Sequence, residues 1–315
     1  MSNEFIVQKA KRLKLKARIG LTGPTNCGKT YSALTIAGGL LKSEGLIVDN
    51  KPDWTKVCVI DSERRRSLYY ANNGVFGEFM FIEMAPPYSP QRYIDATKAA
   101  LEAGAKVIII DSISHAWSGT GGVLDIVNDR TSKSKTKNSY SDGWGGAEGG
   151  TALQNKMIDF LMSIDAHLIC TFRSKMESVM EKDEGTGRTT IKRLGLKPVQ
   201  RDDLEYEFDI TLQFDKDTHI PEIVKNTVQF IDNSQISVSP ITEEFGENLG
   251  KYLAQGVDPE IIRKGQLDHA KKTIAQLVKE NPANKAIYDL YAKDLQLKDI
   301  EDLQTLNLII RKIKE

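Results

Sequence analysis

Five short apolar runs mark the first 172 residues of the chain: "ARIGLTG" at 17–23, "VCVID" at 57–61, "FMFIEM" at 79–84, "VIIID" at 107–111 and "HLICTF" at 167–172. They are nearly continuous rather than alternating, the pattern of strands buried on both faces. Between them, apolar residues recur at helical spacing, over Thr30–Lys42, after Pro90 with Ile94 and Ala99 among the apolar positions, and over 151–165. Strands alternating with helices predict βαβ units and a mainly parallel sheet. After residue 172 the pattern changes. Residues 173–193 are polar and basic around a Gly-Thr-Gly centre, which predicts a mobile hairpin or loop. "DITLQFD", "HIPEIVKN" and "TVQFID" then read as successive short strands, paired antiparallel. From about residue 257 the pattern is helical. Asp258-Pro259 supplies an N-cap and first-turn pair, Asn281-Pro282 breaks the first helix, and "DIEDLQTLNLIIRKIKE" repeats at helical spacing. The expected organisation is a basic arm over 1–18, an α/β core over 19–240 and a small helical domain over 257–315.

Composition narrows the field only a little. The chain has 315 residues with 27% charged and 40% apolar content, ordinary for a globular protein. Its 43 basic and 43 acidic residues cancel, so no whole-molecule field favours nucleic acid, and local charge has to decide. Three cysteines without a CxxC argue against disulfides or a zinc knuckle, and the four histidines have no ligand spacing. Cys58 and Cys170 fall in strand runs and read as small core residues. No apolar stretch is long enough for a membrane span and the N-terminus lacks a signal-peptide core, so the expectation is a cytoplasmic protein without a membrane partner. Lys9, Lys11, Arg12, Lys14, Lys16 and Arg18 face a single Glu4 in the arm, where a solvated tail is as good a reading as a functional one. The stretch 129–150, rich in Ser, Lys and Gly, is expected to be mobile.

One segment has a spacing that a simple turn does not need. Gly23-Pro24-Thr25-Asn26-Cys27-Gly28-Lys29-Thr30 matches GxxxxGK[ST] in full. Glycines let backbone N–H groups face a phosphate chain, and the following helix points its positive end at the same anion. Lys29 is placed to reach the β- and γ-phosphates of ATP, and the Thr30 hydroxyl to ligate Mg²⁺. Tyr31 follows in the set expected to touch the nucleotide. Four fixed positions arise by chance in roughly one chain in a hundred of this length, and a strand before with a helix after lowers that further.

Two acidic strand ends accompany the loop. Asp111 closes "VIIID", where a carboxylate at the C-terminal edge of a parallel strand can hold Mg²⁺. Alone, such an Asp is more often a cap. "VCVIDSERRRS" places Asp61 and Glu63 at a second strand end, and Glu63 is the candidate base or water-orienting group. Its plain alternative is a helix-starting acid. Ser114-His115 is not read as a nucleophile–base pair, because adjacent residues rarely face each other and no GxSxG elbow exists.

The order of phosphate loop, strand ending in Asp-x-Glu and strand ending in Asp-Ser resembles RecA-type recombinase ATPases. "VCVIDSE" is similar to their catalytic-glutamate strand and "VIIIDSIS" to their Walker B segment. Tyr70 resembles the tyrosine that stacks on adenine, and Lys225 in "IVKN" resembles the lysine that reaches a neighbouring subunit's γ-phosphate. The position two residues after Lys225, where such proteins carry a second cation, is Thr227 here. Asn26-Cys27 replaces smaller residues. The longer segments "APPYSPQRYIDA", "IIIDSISHAW", "TFRSKME" and "LGLKPVQRDDLEYEFDI" resemble phage-encoded RecA-like ATPases of the Sak single-strand-annealing group, collinearly over about residues 5–232. That resemblance implies a RecA-like core, ATP hydrolysis, single-stranded DNA as partner, a homo-oligomer (ring or filament) with ATP between subunits, and a single-strand-binding protein as a further partner.

It also implies two DNA-facing loops, here about 129–146 and 174–192. Lys133, Lys135 and Lys137, with Arg130, belong to the first. Lys175, Arg188, Lys192 and Arg193 lie in or beside the second. Tyr140 and Trp144 can stack on bases. Composition alone favours solvated loops. Arg173, with Thr171, stands where a γ-phosphate sensor is expected, and Arg173 can instead contact DNA or pair with a nearby acid. A translocating helicase or loader, and an assembly protein that binds ATP without turnover, are the alternatives from other classes.

Overall fold

The computed structural model describes residues 9–135, 139–182, 189–201, 204–228, 237–292 and 295–315. Two compact units form, Lys16–Leu253 and Ala254–Glu315 with the residues up to Leu15.

The first unit is built on one sheet. Its strands are β1 (Arg18–Gly23), β4 (Val57–Asp61), β5 (Met80–Glu83), β6 (Val107–Asp111), β7 (His167–Lys182), β8 (Thr189–Pro198), β9 (Ile210–Phe214) and β10 (Pro221–Asn226). A two-residue hairpin, β2 (Ile47–Val48) and β3 (Lys51–Pro52), stands apart from it. The order across the sheet is β10-β9-β1-β7-β6-β4-β5, with β8 added to β7. The strands from β9 to β5 pair in parallel, while β10 on β9 and β8 on β7 are antiparallel. This is the mixed, mainly parallel α/β fold expected from the run pattern.

Period two within each strand divides the interior into two cores. Val57, Val59, Ile109, Ile19 and Leu21 face α1 (Lys29–Ser43), meeting Leu34, Ile36 and Leu40. Cys58, Ile60, Ile108, Ile110 and Leu168 face α2 (Pro90–Glu102) and α6 (Gly150–Ser163), meeting Tyr93, Ile94, Met157 and Leu161. Every residue of β4 and β6 is buried, and each full Ile or Val burial contributes about 1.5–3 kcal/mol. Because each run supplies alternate residues to both cores, a break in either would disturb both.

Some elements depart from the sequence reading. Helix Glu243–Leu253 was not expected. It lies against α1 so closely that a Cβ on Gly39 would come within 2.0 Å of the Glu243 carbonyl, and Gly246 and Gly250 share the contact face with the buried Leu249 and Leu253. The stretch 129–150, expected to be mobile, instead follows α3 (Ser114–Ser118) as the end of α4 (Val123–Lys133) and as α5 (Ser139–Trp144). Val123 and Val127 are buried, and this apolar pair outweighs the helix-poor composition. Of the hairpin or loop expected over 173–193, the hairpin is what forms: Ser174–Lys182 of β7 pairs antiparallel with Thr189–Pro198 of β8. β9 is parallel to β1, not only antiparallel to its successor. "TVQFID" falls mostly outside the described residues.

Arg18 is a buried strand residue and not part of a solvated arm. Its guanidinium donates to the carbonyls of Met162, Ile164 and Ala166, closing the C-terminal end of α6. In the other unit, Lys14 N donates to Val257 O and Val257 N to Arg12 O, each at 2.9 Å, so this part of the basic stretch is paired backbone. Helices Pro259–Glu280, Asn284–Ala292 and Leu303–Lys314 bury Ile274, Tyr288, Leu306 and Ile309 together. Asp258 caps the first through Glu260 N at 2.9 Å, and Asn281 ends it.

Candidate functional site

Parallel pairing brings four strand ends to one edge. Gly23 at the end of β1 is opposite Arg173 on β7, and Asp61 of β4 is opposite Asp111 of β6. β7 lies between the phosphate-loop strand and β6, which puts Thr171 beside Asp111. The C-terminal edge of such a sheet is where open α/β folds bind ligands.

The loop from Gly23 to Gly28 cannot tolerate other residues at its ends. At Gly23 φ is +151°, and a Cβ would lie 2.6 Å from Cys27 Sγ and 3.0 Å from the Phe214 carbonyl. Gly28, at φ 89°, starts α1 in the left-handed conformation. The first helical amide with a backbone acceptor is Ser32, bonded to Gly28 O at 2.9 Å. The amides of Lys29, Thr30 and Tyr31 at the helix head are the donors that an anion can take. Lys29 Nζ donates to the carbonyls of Gly23 (2.8 Å) and Pro24 (2.6 Å), so the ammonium sits over the loop.

Asp111 is buried and accepts two hydroxyls, from Thr30 at 2.6 Å and from Thr171 at 2.5 Å. Burial pushes its carboxyl up, and the Thr171 and Thr30 hydroxyls pull against that. The hydroxyl of Thr30 and the carboxylate of Asp111 are hard oxygen donors. They suit Mg²⁺, which takes one or two protein oxygens and completes its shell with phosphate and water. Among the described residues no cluster of three or more His, Cys, Asp or Glu forms a dedicated metal cage.

Glu63 stands across the cleft. Asp61 positions it: one carboxylate oxygen accepts Glu63 N at 2.6 Å, the other accepts Ser67 N at 2.9 Å and its hydroxyl at 2.5 Å. The Glu63 carboxylate accepts Ser112 Oγ at 3.0 Å and Arg173 Nε at 2.6 Å, with a second Arg173 N–H on its other oxygen. Burial raises the Glu63 carboxyl, but the Arg173 guanidinium outweighs it and holds the group below the usual carboxylate range. Of the roles open to Arg173, pairing with a nearby acid is the one seen. Its own backbone N–H donates to Ser114 Oγ at 2.9 Å.

These residues line a cleft of about 300 Å³ with Thr25, Asn26, Cys27, Gly28, Lys29, Thr30 and Tyr70. Arg66, Tyr69 and Ser112 line it too and were not singled out in the sequence. Arg66 and Tyr69 belong to "SERRRSLYY", where a run of arginines and paired tyrosines beside an acidic strand end was the available signal. Tyr70 meets Tyr31 and Phe76 edge-on, at 6.0 and 6.1 Å between centroids. Tyr31 and Lys225 do not line the cleft, and Lys225 Nζ donates to the Tyr206 carbonyl.

The cationic residues assigned to DNA lie elsewhere. Lys133 ends α4 and pairs with Asp129 at 2.7 Å, and Lys135 follows it. Lys175 begins the outer part of β7. On β8, Lys192 pairs in register with Val179 and Arg193 with Ser178. Lys137 and Arg188 lie outside the described residues. Tyr140 is 70% exposed, and Trp144 packs on Trp117 at 5.8 Å between centroids.

A glycine-bounded loop entering a helix, a hydroxyl joined to a buried strand-end aspartate and a glutamate across the cleft define a P-loop nucleotide-binding domain. The sequence model of the AAA domain family matches residues 15–239, and the chain belongs to that family. It therefore carries an ATPase-type domain suited to nucleotide-dependent activity. A search of curated proteins finds no match to the chain. No described helix is long and apolar enough to cross a membrane.

Proposed function

We propose that the chain is an ATP-dependent single-stranded DNA-binding and annealing ATPase of the phage Sak type. It would work as a homo-oligomer, ring or filament, with ATP between subunits. The observation that carries this reading is the continuity of β7. One strand holds Thr171 on Asp111 and Arg173 on Glu63, then runs on into the β7–β8 hairpin. β8 bears Lys192, Arg193 and Lys197 and no acid, whereas outer β7 mixes Lys175 and Lys182 with Glu177 and Glu181. A change at the nucleotide's γ-phosphate thus has a direct covalent route to a cationic ribbon.

In this reading the loop amides and Lys29 hold the triphosphate, while Thr30 and Asp111 hold Mg²⁺. When bound, the ion offsets phosphate charge. Glu63 orients the attacking water and takes its proton, and Arg173 exchanges Glu63 for the γ-phosphate. Lys225, outside its own chain's cleft, is assigned to a neighbour's nucleotide, and Lys133, Lys135 and Tyr140 to the DNA path. A single-strand-binding protein is the proposed accessory partner.

Fluorescence anisotropy of a labelled oligothymidylate tests it. A non-hydrolysable ATP analogue should tighten binding at least about tenfold. Lys192→Ala/Arg193→Ala should reduce the salt slope by about 1.4, two phosphate contacts on a single strand. Equal affinity with and without nucleotide, together with wild-type binding by the double variant, refutes the reading.

A further inference from the structure

A second cleft, of about 440 Å³, shares Glu63, Arg66 and Arg173 with the first and contains none of the phosphate-loop residues. Its other walls are Ser62, Arg64, Pro86, Tyr88, His115 and the turn 118–120. Three guanidinium groups face one carboxylate here, and that carboxylate is already engaged by Arg173 and Ser112. Neighbouring acids are also engaged. Asp61 accepts the Glu63 and Ser67 donors, and Glu83 pairs with Arg65 at 2.8 Å. Arg64 and Arg66 are exposed and have no side-chain hydrogen bond or ion pair among the described residues. Neither guanidinium is therefore paired with an acid among the described residues.

His115 completes the wall. Ser62 Oγ lies 3.0 Å from Ser112 O, accepts Ser112 N at 3.0 Å and shares a hydrogen bond with His115 Nδ1 at 2.7 Å. That bond holds the ring in place, and Tyr88 stacks on it with centroids 4.8 Å apart and planes 20° apart. Burial, then the Arg173 cation, hold the His115 imidazole below its ordinary range despite the pull of Glu63. The cleft is thus electropositive and rigid on one side. Guanidinium forks match tetrahedral oxyanions, phosphate above all.

We propose that this cleft is an anion site for a phosphate group, supplied by a nucleic-acid strand or as inorganic phosphate, and that its occupant competes with Glu63 for Arg173. The site itself stands on the geometry alone. Its consequence, release of Glu63 to act as a base, rests on the function proposed above.

Histidine NMR on the full chain tests it, because only four histidines give signals. His219 lies against Gly28 of the phosphate loop, its Nδ1 3.5 Å from where a Cβ would stand, and so reports binding there. His115, assigned with His115→Gln, reports the second cleft. Titration with oligothymidylate or with inorganic phosphate should move the His115 resonance to saturation, and the probe that does so identifies the source. Arg64→Gln, at an exposed residue outside the nucleotide cleft, should weaken that response about tenfold, the loss of one charge-assisted contact, with partial rescue by Arg64→Lys. A His115 signal unmoved by both probes overturns the proposal, as does an unchanged affinity in Arg64→Gln. If nucleotide-independent DNA binding refutes the annealing reading while phosphate still moves His115, the anion site stands without it.

Discussion

The two ends of β1 and β7 make opposite uses of buried polar groups. At the amino ends, Arg18 is spent on carbonyls, Ala17 N donates to His167 Nδ1 at 2.9 Å, and His167 Nε2 donates to Glu44 at 3.0 Å. Lys16 completes the cluster on Glu44. Each group there has a fixed partner and none lines either cleft at the opposite edge. At the carboxyl ends, Asp111, Glu63 and Arg173 are also bonded, yet all three line a cleft, and Arg173 is 47% exposed in its side chain. The lesson is that burial and pairing do not by themselves mark chemistry. What separates the two ends is whether a partner can be exchanged for something arriving from solvent.

Glu63→Gln tests the carboxyl end and should have the largest effect. Removing the proposed general base costs about 10²–10⁴ in rate, or roughly 3–5 kcal/mol of barrier, while nucleotide affinity does not fall, because Arg173 is freed for the γ-phosphate. Phosphate release and analogue binding measure the two separately. Wild-type turnover in Glu63→Gln, with slowed turnover in His167→Gln, would reverse the comparison.

The two ends also differed in how far they could be read from sequence. The phosphate loop was legible because its function fixes spacing within eight consecutive residues, and Asp111 because it ends an unbroken Val/Ile run. The Glu63–Arg173 pair was not, since its partners are 110 positions apart and only strand order brings them together. Arg18 was misread as part of a basic tail: composition sees its charge but not the carbonyls of 162–166 that receive it. The α4–α5 region was missed for a related reason. Its Ser, Lys and Gly content is that of a loop, and only Val123 and Val127 signal the core contact. Helix Glu243–Leu253 docks through Leu249 and Leu253 with Gly246 and Gly250 between them, and sequence patterns read such glycines as breakers.

Arg18→Ala probes the amino end and should cost about 2–4 kcal/mol, the penalty for buried carbonyls left without donors. Asp209, whose carboxylate accepts Arg18 N at 3.2 Å, would also lose the charge that offsets its burial. The expected result is a lower urea midpoint at unchanged slope, with turnover per folded molecule unaffected. A selective loss of turnover at wild-type stability would make Arg18 part of the chemistry and remove the distinction between the two ends.

The smallest effect is an acid-dependent one, again at the amino end. Burial raises the Glu44 carboxyl, but the His167 and Lys16 donors outweigh it and bring it from 4.5 to about 2. Because the folded value is the lower one, Glu44 stabilises the fold above pH 4.5, and that contribution disappears as pH falls toward 2. His167 is held below 6.5, first by burial. The unfolded chain then takes up its proton before the folded chain does, so stability also declines as pH drops below 6.5. Both groups act in the same direction. His167→Gln keeps both hydrogen bonds, since its amide can accept from Ala17 N and donate to Glu44, but it cannot titrate. It should flatten the decline that begins near pH 6.5 and retain the one below pH 4.5, while Glu44→Gln should remove the latter. Urea midpoints across this pH range measure both. Superimposable profiles for the three proteins would mean that the amino-end cluster is not the buried, proton-linked lock described, and that acid stability is set elsewhere in the fold.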